Sequence, residues 1–169
     1  MIDIQDELLD IVDVRDIVIA TELRSVVYQQ NMRHIRVVNG FIMNDAGQLW
    51  IPRRTASKQL FPLALDTSIG GHVQSGESYD EAFKRELLEE TGLRLAEVDC
   101  QVKAYLTPIE HNVSAFGTVY EIKSNSAPDY NPDDFCEYFW ITPEDLIKKI
   151  EAGEPAKSDL IKLVKILYT

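Results

Sequence analysis

Gly71-His72-Val73-Gln74-Ser75-Gly76-Glu77, followed after seven residues by Arg85-Glu86-Leu87-Leu88-Glu89-Glu90-Thr91-Gly92-Leu93, runs from a glycine-bounded loop into a glutamate-rich segment. Ser78-Tyr79-Asp80-Glu81 has the capping-box pattern that opens a helix, and Gly92 is suited to close one. The spacing predicts a helix over Tyr79 to Thr91. On a wheel with Ala82 at zero, Glu86 falls at about 40°, Glu90 at about 80° and Glu89 at about 340°. All three carboxylates share one arc, and Phe83 and Leu87 lie beside it, so the acids border the buried face. Glu86 and Glu90 form an i,i+4 like-charge pair, which destabilises a helix by about 0.3 kcal/mol and by more when desolvated. A bound cation reverses that sign. Magnesium prefers six hard oxygen ligands, which clustered glutamates help to supply, whereas zinc would call for His or Cys. The ordinary alternative is a solvated acidic face with Arg85 in surface pairs; the flanking glycines and the spacing weigh against it.

Working outward, Val37 to Met43 and Gln48 to Pro52 read as a hairpin around Asn44-Asp45-Ala46-Gly47. Ile11 to Ala20 reads as an earlier hairpin around Asp13 to Asp16. Leu60 to Ile69, broken by Pro62, reads as an irregular approach to Gly70-Gly71. Beyond the glutamate helix, Val98 to Leu106, Ser114 to Ile122 and Tyr138 to Ile141 read as strands, with Thr107 to Asn112 a loop. Thr142-Pro143-Glu144-Asp145 opens another helix, and Ser158 opens a last one with apolar residues at helical spacing. The expectation is a mixed α/β fold with helices covering a central sheet.

At 169 residues the chain suits a single domain, residues 1–169, with residues 1–30 an N-terminal extension packed on it. No apolar run approaches the length of a membrane span, and Met1 to Glu7 lacks the basic start of a signal peptide, so a cytoplasmic protein without membrane partners is expected. Cys100 and Cys136 belong to no CxxC or Cys/His cluster and read as reduced and structural. A net charge of −11 argues against binding nucleic-acid polymers and repels anionic substrates alike. A phosphate-processing protein so charged needs a divalent cation or a local basic patch.

The loop and helix together match every fixed position of the Nudix box, G-x5-E-x7-R-E-U-x-E-E-x-G-U with U aliphatic, and the chain resembles Nudix hydrolases. Seven fixed identities make a chance match at a given start on the order of 10⁻⁸. The resemblance implies a Nudix α/β/α sandwich with a central mixed sheet, the box helix carrying the metal site. It further implies a magnesium-dependent diphosphate hydrolase, with manganese a possible substitute. Glu86 and Glu90 would be principal magnesium ligands, Glu89 a further ligand or base, Glu89 and Glu90 the catalytic acids, and the Gly70 carbonyl an oxygen ligand. Gly71, Glu77, Arg85 and Gly92 would be structural, Arg85 and Glu77 pairing to hold the loop on the helix. Self-association into a homodimer is left open.

Arg53, Arg54 and Lys58 form a basic cluster suited to gripping phosphates. Glu110 or Glu121 could supply a further acid, while His34, His72 and His111 lack partners at ligand spacing. Thr107 to Asn112 and Ser124 to Pro132, including Tyr130, are candidate specificity loops. His34-Ile35-Arg36-Val37 and Asp66 to His72 resemble the branch related to isopentenyl-diphosphate isomerase. That chemistry uses a cysteine where Gly70 aligns, and a glycine offers no thiol, so hydrolysis of a small-molecule diphosphate, a nucleoside diphosphate linked to another moiety, is favoured. An isomerase-like activity and a non-catalytic nucleotide sensor are the alternatives.

Overall fold

A computed structural model describes residues 6–169; the start of the N-terminal extension, residues 1–5, lies outside the described residues. Strands β1 (Leu8–Val12) and β2 (Val18–Leu23) form an antiparallel pair, followed by α1 (Arg24–Gln29). The main sheet comprises β3 (Arg36–Met43), β4 (Leu49–Arg54), β5 (Ile69–His72), β6 (Asp99–Leu106), β7 (Phe116–Lys123) and β8 (Phe135–Ile141). The further α-helices among the described residues are α2 (Tyr79–Thr91), α3 (Pro108–His111), α4 (Pro143–Glu151) and α5 (Leu160–Tyr168).

The sheet order is β6-β7-β3-β4-β8, with β5 also on β3. β3 and β7 run parallel along their length, and the other pairings are antiparallel. On the remaining edge of β3, β4 joins near Met43 and β5 joins between Val37 and Gly40. Alternation along the strands divides the core in two. Val38, Ile42, Trp50, Tyr120 and Ile122 meet Phe83 and Leu87 of α2 on one face. Phe41, Leu49, Ile51 and Val119 meet Leu146 of α4 and Leu160, Leu163 and Val164 of α5 on the other. The result is the expected α/β/α sandwich around a mixed sheet.

Two local fits hold α2 at its depth. Phe83 stacks on Tyr120 with centroids 3.9 Å apart, and a Cβ at Gly40 would meet the Phe83 ring at 2.7 Å. Only glycine lets the helix settle that closely on β3. The capping box at Ser78 and Glu81 is present, and Gly92 terminates the helix in the left-handed conformation.

Where sequence reading expected an irregular approach, the chain forms β5 at its end. Where it expected a plain loop at Thr107 to Asn112, α3 makes a single turn. Residues 8–29 dock against the box loop: Ser75 N–H donates to the Leu8 carbonyl at 2.7 Å, and Leu9, Ile11 and Val27 share a cluster with Ile35 and Ala115. Asp16, at the turn between β1 and β2, accepts from Arg36 Nε at 2.6 Å, Tyr79 Oη at 2.7 Å and Tyr105 Oη at 2.9 Å. One carboxylate thus ties the hairpin to β3, α2 and β6. No helix among the described residues is long and apolar enough to cross a membrane.

Removing Asp16 leaves a mostly buried guanidinium and two phenols without their acceptor. Asp16→Ala is expected to lower unfolding stability by about 2–4 kcal/mol in urea titration. A change under about 0.5 kcal/mol would mean the hairpin is held without this carboxylate.

Candidate active site

Arg85 organises the junction of loop and helix. Its Nε and Nη2 donate to the two oxygens of Glu77 at 2.7 and 2.9 Å, a bidentate pair, and Nη2 also donates to the His72 carbonyl at 3.0 Å. Its Nη1 donates to Glu86 Oε1 at 2.7 Å and lies 3.5 Å from Glu89. Burial by itself would raise the Glu77 carboxyl, but Arg85 and the Gln74 N–H hold it below the ordinary carboxylate value. The Arg85 guanidinium is correspondingly stabilised as a cation, chiefly by Glu77. Gly71 is needed for close approach: a Cβ there would lie 2.1 Å from Glu86 Oε1.

The acids lie as the wheel places them. Glu86 is buried at 8% exposure, Glu90 is partly buried, and the Glu89 side chain is 58% exposed. Burial pushes the Glu86 carboxyl up to about 7, against the pull of Arg85 and aided by Glu89. Burial also raises Glu90 well above the usual range, reinforced by Glu86 and Asp66. Glu90 Oε2 accepts from the Gly70 N–H at 3.1 Å. Gly70 pairs with Asn39 across an antiparallel ladder, and its N–H points away from β3; in extended backbone its carbonyl faces the same way, toward the acids. Among the described residues no three His, Cys, Asp or Glu side chains already converge as a closed metal cage. Glu86 instead contacts Arg85, Glu90 the Gly70 N–H, and Glu89 lies toward solvent.

Glu86, Glu89, Glu90, Gly70 and Gly71 line one cavity of about 240 Å³ together with Arg24, Arg54, Lys58 and Lys157. Four cations and the acidic helix therefore face the same space in a strongly anionic chain. Asp66, 4% exposed, orients two of them, pairing with Arg54 at 2.8 Å and Lys157 at 3.5 Å. Lys58 pairs with Asp134 at 2.5 Å. His72 reports the local field: burial first, then Arg24, Lys157 and Arg85, depress it to about 3, so the ring is neutral near pH 7.

Arg53 does not join this group. It pairs with Glu137 and, at 2.6 Å, with Glu154, and donates to the Leu63 carbonyl. Adjacent strand residues point to opposite faces, so Arg53 and Arg54 cannot share one cavity wall. Glu121 is buried elsewhere, accepting from Tyr168 Oη at 2.7 Å and pairing with Lys123 at 2.9 Å, and Glu110 lines neither this cavity nor its neighbour. His111 Nδ1 accepts from the Thr107 N–H, and His34 packs edge-on against Phe116. Tyr130 packs among Trp50, Phe135 and Tyr138. Arg24 and Lys157 went unread in sequence because they reach the site from distant segments, and Asp66, although quoted within the approach to Gly70, was given no role there.

The NUDIX domain family matches residues 33–164, most of the chain. The chain belongs to the Nudix family. It is 55% identical over 162 residues to a Nudix hydrolase of Nostoc sp., covering 96% of each chain. It is 47% identical over 165 residues to a Nudix hydrolase of Deinococcus radiodurans, covering 98% of this chain and 96% of that one. The crystal structure of DR0079 from Deinococcus radiodurans superposes with a TM-score of 0.92 at 46% identity, covering 96% of this chain and all of that one. The protein is a Nudix-type hydrolase, of a family that acts on pyrophosphate bonds in small molecules and generally uses a divalent metal such as magnesium.

Lysine in place of Arg85 keeps the charge but loses the planar fork. Arg85→Lys is expected to lower unfolding stability by about 1–3 kcal/mol, read by urea titration. Wild-type stability in that variant would show that the clasp is dispensable.

Proposed function

We propose that this Nudix hydrolase is magnesium-dependent and cleaves a diphosphate linkage in a nucleoside diphosphate joined to another moiety. The observation that carries the reading is the single cavity lined by both the α2 glutamates and four cations. Glu86, Glu90 and the Gly70 carbonyl would hold the ion, with Glu89 a further ligand or base. All are hard oxygen donors, which suit magnesium, with manganese as substitute, better than zinc. The fit is supported by the close approach of Glu86 to the Gly70-Gly71 backbone, which the missing side chain of Gly71 permits, and by two carboxyls whose burial without a cation is unfavourable. When bound, magnesium supplies charge neutralisation and Lewis-acid polarisation at the diphosphate.

The protein's own groups do the rest. Arg24, Arg54, Lys58 and Lys157 draw in and orient phosphate oxygens. A water oxygen bonds to phosphorus while its proton passes to Glu89, the most exposed of the three acids and only loosely paired with Arg85. The bridging P–O bond breaks with its electron pair on the departing oxygen. Two phosphate-bearing fragments result when the other moiety is joined through phosphate.

An isomerase-like reaction would need an acid/base group at Gly70, where a Cβ would approach Thr67 Oγ1 at 3.0 Å. Purified protein with magnesium should hydrolyse at least one member of a panel of dinucleotides, nucleotide sugars, nucleoside triphosphates and prenyl diphosphates. It should yield no dimethylallyl product from isopentenyl diphosphate. Inactivity across the panel would favour a nucleotide sensor, and alkene isomerisation would overturn the hydrolytic reading of Gly70. Glu90→Gln should lose roughly 100-fold or more in turnover. Its metal-free Tm should equal or exceed that of wild type, because burial already favours the uncharged form of this carboxyl, which the amide imitates. Retained turnover would move the metal site off α2.

A further inference from the structure

The family match begins at residue 33, yet the wall between the active-site cavity and its neighbour is built by a residue before it. Tyr28 of α1 lines both the 240 Å³ cavity and an adjoining one of about 220 Å³, and Phe61, Gly71, His72 and Lys157 are common to both. Tyr28 is held in place on one side. Its hydroxyl is 2.7 Å from His72 Nε2, its ring meets the His72 ring edge-on at 5.6 Å, and the neighbouring Val27 is buried. It is nevertheless 42% exposed.

Phe61 is similarly exposed, at 43%, and it sits at φ 50, with Leu63 at φ 59 across Pro62. Bulky residues rarely adopt this left-handed backbone, and such conformations persist where surrounding contacts enforce them. Those contacts are present: Arg54 Nε donates to the Leu60 carbonyl at 3.1 Å and Arg53 Nη1 to the Leu63 carbonyl at 2.9 Å. Arg53, outside the cavity itself, thus helps hold a loop that presents an aromatic ring to it. The second cavity combines apolar Val38, Leu160 and Leu163 with polar Asn39, Thr67 and Ser114. Asn39 Oδ1 accepts from Thr67 Oγ1 at 3.3 Å, leaving its amide NH2 as the end available to a ligand. Apolar faces with polar edges suit a flat, hydrogen-bonding ring better than an aliphatic chain. Neither Thr107 to Asn112 nor Ser124 to Pro132 lines either cavity.

We propose that the second cavity receives the planar, hydrogen-bonding group of the diphosphate substrate, and that Tyr28 and Phe61 flank its entrance and select it. The segment ahead of the family match thereby becomes a specificity element. This rests on the diphosphate-hydrolase reading, so the test separates binding from turnover.

Binding of nucleoside 5′-monophosphates carrying each of the common bases is measured by calorimetry in EDTA, where hydrolysis plays no part. Wild type should bind at least one. Tyr28→Leu and, independently, Phe61→Leu should each weaken that Kd roughly tenfold, as expected for loss of a base–aromatic contact. Tyr28→Phe, which keeps the ring and loses only the hydroxyl contact with His72 Nε2, should stay within about twofold of wild type if stacking is the interaction. On the best hydrolysed substrate of the panel, Tyr28→Leu should raise KM with kcat nearly unchanged. Wild-type affinity in both leucine variants would overturn the proposal, as would binding of no monophosphate by wild type. Equal loss for an aliphatic prenyl monophosphate would also overturn it. Should Tyr28→Leu fail to fold by circular dichroism, Phe61→Leu on its separate loop decides alone. Normal monophosphate binding with no hydrolysis of any panel member would leave the cavity assignment standing and remove the hydrolytic reading.

Discussion

The Arg85 guanidinium is the contact on which the active-site geometry depends. It closes the loop through Glu77, fixes β5 through the His72 carbonyl, and takes up the negative charge of Glu86. Each contact alone is an ordinary charge-assisted hydrogen bond. Together they bring a glycine strand, a glycine turn and an acidic helix face into one place. Gly71 then lets Glu86 lie where any side chain would displace it.

The second constraint is electrostatic. A chain of net charge −11 that handles anions needs cations placed where the anion binds. It gathers Arg24, Arg54, Lys58 and Lys157 from three separate segments onto the cavity that they share with the α2 glutamates, Glu7 and Asp134. Buried Asp66 orients Arg54 and Lys157 while raising the Glu90 carboxyl. The acids and cations are therefore coupled beyond simple proximity: the network that prepares the phosphate side makes the glutamate side less favourable without a positive ion.

What was legible in the sequence was what is locally encoded. The capping box at Ser78 and Glu81, the closing glycine at Gly92 and the three-four spacing of the glutamates specify α2 before any tertiary contact is known. The β3–β4 turn is similarly marked, Asn44 Oδ1 accepting from the N–H groups of Ala46 and Gln48. β5 was hidden because Ile69-Gly70-Gly71-His72 has no alternation; it is a strand because β3 pairs with it. α1 was hidden because it is six residues long and its N-cap residue, Leu23, offers no side-chain cap. Arg53 was grouped with Arg54 by adjacency, although the period-two rule for strands already separates them. Lys157 and Asp66 meet only through the backbone pairing of Leu65 with Pro155 and Lys157, which no local pattern announces.

The most direct test of the metal site on α2 is magnesium titration by calorimetry at pH 7 in two buffers of different ionisation enthalpy. Burial pushes the Glu86 carboxyl up to about 7 and raises Glu90 as well, so a cation that binds the ionised carboxylates at pH 7 displaces protons. The heats should differ between buffers, revealing net proton release on binding. Identical heats in both buffers, or no binding, would contradict a metal site built on these two carboxylates.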